Sequence, residues 1–175
     1  MKLRLATLLL LCVTLTGHAQ ELPVYKGEIF IRDGLRYAAN TNEPLSAIIE
    51  DYYDNGALYQ TFILIDGTRE GLTQKRYKNG QLKRAFTMVN GKFEGSDVEW
   101  WPNGQLYARE TWVNSQREGL SQMWFQNGQL FMETTYHAGQ EVGLQRIWDK
   151  NGQLEDEYCW KANRSAPMSY CTDGK

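Results

Sequence analysis

Hydrophobic positions in this chain fall into two regimes. Leu5 to Leu15 form a single apolar run, and no second run of that kind follows. Farther on, apolar and polar residues come in segments of roughly seven to ten residues, rich in aromatic and β-branched types. QLKRAFTMVNG and QLYARETWVNS are two of them. Turn signals cut these segments at regular places. Asn-Gly pairs stand at Asn55-Gly56, Asn79-Gly80, Asn103-Gly104, Asn127-Gly128 and Asn151-Gly152, each 24 residues from the next. Asp66-Gly67, Asn90-Gly91, Asn114-Ser115 and Ala138-Gly139 mark a second turn between them.

A fixed period of this length marks an array whose units bury their faces against neighbours. Other columns keep the same spacing. Leu58, Leu82, Leu106, Leu130 and Leu154 follow each Asn by three residues, while Tyr52, Arg76, Trp100, Trp124 and Trp148 precede it by three. Tyr53, Tyr77, Trp101, Phe125 and Asp149 come next to those, and Gly71, Gly95, Gly119 and Gly143 follow later in each unit, with Pro167 in the last. Glycine at several fixed places per unit leaves no helical stretch of useful length. Asn-Gly between β-type segments predicts a hairpin, because both central residues of a type I′ turn need positive φ. The expected fold is all-β, a single-layer antiparallel meander of repeated 24-residue hairpins. A two-residue loop pairs Tyr77 with Leu82, Trp101 with Leu106 and Phe125 with Leu130 on one face. Trp100, Trp124 and Trp148 then lie on the other face beside Tyr107 and Phe131. A shift of one residue in register exchanges the faces. The glycine columns are expected to let rings lie flat against adjacent strands.

Units such as RYKNGQLKRAFTMVNGKFEG and EWWPNGQLYARETWVNSQREG resemble the MORN-repeat variant family, often described as YwqK-type antitoxin proteins. IRDGLRYAANTNEPLSAIIEDYYDNG is similar to the family's entry, with a short strand, an Asp-Gly turn, a Glu-Pro corner and the first repeat. Ala47 and Ser115 stand where a glycine is usual, and Asp149 replaces the aromatic residue in the last unit, which suits a more polar capping repeat. The resemblance covers about residues 27–158. It implies an array of hairpins, protein scaffolding or contact with membrane or lipid, and, for the YwqK type, an antitoxin or immunity role.

The amino terminus changes where the protein is expected to act. Lys2 and Arg4 precede the apolar run, and Thr16-Gly17-His18-Ala19 supplies small residues for a cut after Ala19. That is the layout of a cleavable signal peptide, in a run too short to span a bilayer. Cys12 follows Leu11, not a small residue, so lipid attachment there is not expected. The organisation read from the sequence is a signal peptide over 1–19, an entry segment over 20–47, repeats over 48–158 and a cap over 159–175. The expected compartment is periplasmic or secreted.

The formal net charge of −2 over 175 residues becomes −4 when the leader is removed, because Lys2 and Arg4 leave with no acid. Without a basic stripe, nucleic acid is not the expected ligand. Cys159 and Cys171 remain and predict a disulfide in an oxidising compartment, stabilising the cap by about 2–3 kcal/mol. Chemistry is sparse. His137 is the one histidine after the leader, in a column with Ile65, Val89 and Val113, and no nucleophile elbow or phosphate loop occurs. Neither a metal site nor a cofactor is expected. Glu70, Glu94 and Glu118 share one column, and a residue used once per unit serves the scaffold. The expected function is therefore non-enzymatic. The aromatic-rich face binds a partner protein, such as a toxin to be neutralised, through Trp100, Trp124, Trp148, Tyr107 and Phe131. The alternative is an envelope-associated scaffold that contacts lipid or glycan.

Overall fold

The computed structural model describes residues 21–39 and 41–172; the expected signal peptide lies outside the described residues. The elements are β1 (Val24–Tyr25), β2 (Ile29–Arg32), β3 (Leu35–Ala38), β4 (Ala47–Tyr52), β5 (Leu58–Ile65), β6 (Thr68–Arg76), β7 (Leu82–Val89) and β8 (Lys92–Trp100). They continue with β9 (Leu106–Val113), β10 (Gln116–Arg117), β11 (Gly119–Trp124), β12 (Leu130–His137), β13 (Gln140–Trp148), β14 (Leu154–Lys161), β15 (Arg164–Ser165) and the helix α1 (Met168–Thr172). One sheet of 13 strands runs antiparallel in sequence order from β4 to β15, except that β9 is followed by β11 and β10 pairs only with β9, and β1 is added in parallel outside β4. β2 and β3 form a separate hairpin. The repeats thus make one all-β ribbon.

The two corners of each unit differ in geometry, and this corrects the expected register. At the Asn-Gly corner only glycine has positive φ, 80° at Gly56 and 85° at Gly80, Gly104, Gly128 and Gly152. Gly104 N–H donates to the Trp101 carbonyl at 2.9 Å and Trp101 N–H to the Gln105 carbonyl at 2.8 Å. This is a longer loop in which glycine takes the single left-handed position, not a type I′ turn. The type I′ signature belongs to the other corner, where Asp66 and Gly67 have φ of 46° and 76°, and Asn90 and Gly91 have 50° and 73°.

The longer loop moves the pairing by one residue. Arg76 opposes Leu82, Trp100 opposes Leu106 and Trp124 opposes Leu130, in place of the expected Tyr77–Leu82, Trp101–Leu106 and Phe125–Leu130 pairs. One residue then bulges out of the ladder: Lys83, Tyr107 and Phe131. A bulge residue opposes nothing directly and re-aims its side chain.

The glycine column also has a different cause from the one expected. A Cβ added at Gly95, Gly119 or Gly143 would meet nothing within 4 Å, so no ring lies against them. Their φ values are 76°, 76° and 69°. A side chain in that region costs about 1–2 kcal/mol, which is the reason for glycine.

Burial separates the faces. Cross-strand partners share a face, so Phe86, Asp97 and Glu110, which oppose one another along β7, β8 and β9, share one with buried Thr73, Ser121 and Thr134. We call this the inner face. At the amino end Tyr25, Ile29 and Leu45 cover it, packing on the buried cluster Ala47, Ile49, Phe62 and Leu64. At the carboxyl end it is the other, outer face that is covered. Cys159 opposes Leu144 there, is 2 % exposed, and is bonded to Cys171 of α1 with the two Cα atoms 6.0 Å apart. β15 pairs with β14 only at Trp160 and Lys161. The acidic run Glu155-Asp156-Glu157 lies on the remaining edge, where charge discourages pairing with another chain. The central units have neither cover.

Candidate functional site

Most repeated residues hold units together. Asn79, Asn103 and Asn127 each donate from Nδ2 to a carbonyl of the following loop, at Pro102, Gln126 and Lys150, over 3.3, 3.0 and 3.0 Å. Each also accepts with Oδ1 from the N–H two residues on. Tyr53 and Tyr77 donate their hydroxyls to the Arg76 and Trp100 carbonyls at 2.8 Å, and Trp101 donates Nε1 to the Trp124 carbonyl at 3.0 Å. On the opposite rim Glu70, Glu94 and Glu118 accept the backbone N–H of Asn90, Asn114 and Ala138 at 2.8, 2.9 and 2.8 Å. The glutamate column is therefore a scaffold element. His137 sits beside the last of these, its Nδ1 2.9 Å from Glu118 Oε1.

The five expected partner-binding residues divide between two places. Trp100, Trp124 and Trp148 lie on the outer face, half-buried, each opposite a leucine. Arg109 stands over the Trp124 ring at 5.8 Å. Tyr107 and Phe131 do not join them. As bulge residues they pack against Trp101 and Phe125 with steeply inclined rings, centroids 4.5 and 5.0 Å apart. Trp101 and Phe125 also wall a rim groove of about 360 Å³ with Gln126, Asn127 and Lys150.

A second site, not foreseen from the sequence, occupies the uncovered inner face of the central units. It is a cleft of about 380 Å³ lined by Arg84, Glu99, Tyr107, Glu110, Trp112 and Arg117 among others. Arg84 binds Asp97 through two hydrogen bonds, Nε to Oδ1 at 2.9 Å and Nη2 to Oδ2 at 2.5 Å, and Asp97 is 4 % exposed. Forked pairing of this kind is the geometry by which a guanidinium best offsets a buried carboxylate. Glu99 has only the same Nε, at 3.4 Å. Burial pushes its carboxyl above its ordinary value, against the pull of Arg84 and Lys83 and with help from Asp97 and Glu110. Glu110 accepts the Ser121 hydroxyl at 3.3 Å and forms an ion pair with Arg117, whose Nε lies 3.2 Å away without making a hydrogen bond. Phe93 bridges Phe86 and Trp112, with centroids 5.0 and 5.2 Å away.

In the sequence Arg84 and Glu110 break the period, while Arg117 shares its column with Arg69. The column of Arg84 holds Gln60, Ala108 and Met132, that of Glu110 holds Phe62, Phe86 and Thr134, and that of Arg117 holds Arg69, Phe93 and Glu141. Departures from the repeat were the available signal. The arrangement presents fixed charges and rings. No Ser, Cys, His or Lys lines the cleft, and among the described residues no group of three or more His, Cys, Asp or Glu side chains is placed to hold a metal ion.

The MORN repeat variant matches this chain twice, at residues 117–138 and 141–162. The second match runs through β14 to its end. No curated protein matches the chain.

Proposed function

We propose that this MORN-repeat-variant protein is an exported, non-enzymatic scaffold that binds another protein on its single-layer sheet. The observation that carries the reading is the lack of a second layer over the central units, among the described residues. Trp100 and Trp124 stay partly exposed on one face while a charged cleft opens on the other. Large aromatic rings left at a surface in this way supply the anchors of protein interfaces. The net charge of −2, and −4 without the leader, favours a partner with a basic patch. A toxin-neutralising immunity protein is the concrete form of this reading that the resemblance to YwqK-type proteins supports.

The test is in-cell cross-linking of tagged mature protein, followed by comparison of variants. Wild type retrieves a stoichiometric partner, and Trp100→Ala with Trp124→Ala lose it more than removal of surface charges does. Unchanged capture by a folded double variant overturns the proposal. Mass analysis of the exported chain reads the expected cut after Ala19.

The rim groove favours a second reading, contact with glycan. Trp101 and Phe125 offer two rings beside the amide of Gln126. Saturable binding of envelope oligosaccharides that is lost in Trp101→Ala distinguishes it.

A further inference from the structure

We propose that the inner cleft receives an arginine side chain of a protein docked on the inner face, the face opposite Trp100 and Trp124, with Glu99 as its main carboxylate and the Tyr107 and Trp112 rings as its walls. This rests on the reading of the array as a protein-binding scaffold and assigns the partner a chemical feature.

The argument begins with which charges are already committed. Asp97 is held on both oxygens by Arg84, and Arg117 lies against Glu110. The two guanidiniums are thereby offset. Glu99 is the carboxylate with the weakest partners: it directly opposes Arg84 across β7 and β8, and Lys83 also draws on it. It receives no hydrogen bond among the described residues and shares the Arg84 Nε with a stronger competitor, 3.4 Å against 2.9 Å. The lining thus holds three carboxylates, Asp97, Glu99 and Glu110, against two guanidiniums, Arg84 and Arg117. Just outside, Glu141 adds another acid, accepting the Tyr136 hydroxyl at 3.0 Å. Lys75 lies directly opposite Arg84 on the neighbouring strand and does not line the cleft.

The walls select among cations. Arg84 and Arg117 already lie over rings on this face, 4.8 Å from the Phe86 centroid and 5.4 Å from that of Trp112. A planar, weakly hydrated guanidinium stacks on such rings more readily than a compact ammonium does. The volume of about 380 Å³ accommodates one such side chain with its stem. A cation arriving beside Glu99 also relieves the repulsion from Asp97 and Glu110.

The experiment follows the indole N–H signals of the mature protein by NMR, with Trp112 assigned through Trp112→Phe. Trp112 is a useful reporter because its Nε1 has no hydrogen-bond partner among the described residues. The probes are blocked arginine, its uncharged isostere blocked citrulline, blocked lysine and blocked glutamate. Blocked arginine produces a saturable Trp112 shift with Kd on the order of 1–10 mM. Citrulline and glutamate leave the signal in place, lysine binds more weakly, and Glu99→Gln weakens arginine binding about fivefold. A citrulline shift equal to that of arginine overturns the inference, as does a Glu99→Gln variant with an unaltered spectrum elsewhere and undiminished binding. The two readings fail separately. Cross-linked partner capture that depends on Trp100 and Trp124 but ignores Glu99→Gln removes the arginine assignment alone. No captured protein, with a saturable arginine shift, removes the protein-binding reading and leaves the cleft's selectivity standing.

Discussion

Asn103 is fastened to the loop of the following unit: its Nδ2 donates to the Gln126 carbonyl at 3.0 Å while its Oδ1 accepts the Gln105 N–H at 3.1 Å. The amide both shapes its own corner and ties it to the next. Asn103→Ala removes both bonds and is expected to cost about 1–2 kcal/mol in chemical denaturation. Asn151 is the control. Its Nδ2 bonds Asp149 within its own loop at 3.2 Å, so Asn151→Ala is expected to cost less than half as much. Equal losses at the two positions would show that the tie between units adds nothing.

Ala138 occupies a left-handed position, φ 49°, where earlier units place Asp66 and Asn90. Asparagine tolerates that region better than alanine does. Ala138→Asn is therefore expected to raise stability by about 0.5–1 kcal/mol, read as an increase in Tm. The Glu118 contact to its backbone N–H is retained in the variant.

Glu118 gives a pH signature. The Ala138 N–H, and after it His137, hold its carboxyl below the ordinary value of 4.5. A depressed folded pKa means the unfolded chain takes the proton first, so the stabilisation is present above about pH 4.5 and fades as pH falls through the lower folded value. The Tm difference between wild type and Glu118→Gln should be constant from pH 6 to about 5 and shrink below about 4. A difference that grows with acidity contradicts this assignment.

The Cys159–Cys171 bridge anchors α1 on the outer face of β13 and β14. Reduction is expected to cost about 2–3 kcal/mol. The effect should stay local, lowering hydrogen-exchange protection in β14 more than in β7. Identical melting with and without reductant removes the anchor role.

Period, strand class and the disulfide were all legible before any coordinates, because each is fixed by residue type at a spacing. Register was not. Asn-Gly suits both a type I′ turn and a longer loop with one left-handed glycine, and only φ at Asn103, which is not positive, separates them. That single residue of slip sends Tyr107 from the side of Trp100 onto Trp101. The cleft was hidden for a related reason. Arg84 and Asp97 are 13 residues apart, and the β7–β8 bulge sets Arg84 opposite Glu99 with Asp97 diagonal to it, a placement that spacing alone does not give. Columns that recur mark the scaffold, whereas Arg84, Glu110 and Trp112 stand out as exceptions within theirs.

Because the fastenings join residues 23 or 20 apart in successive units, inserting or deleting one whole 24-residue block keeps their spacing. A partial block does not. Each block contributes two strands, about 10 Å of sheet width, so the molecule is a ruler graduated in steps of that size, and its span can be matched to a partner without redesigning a joint.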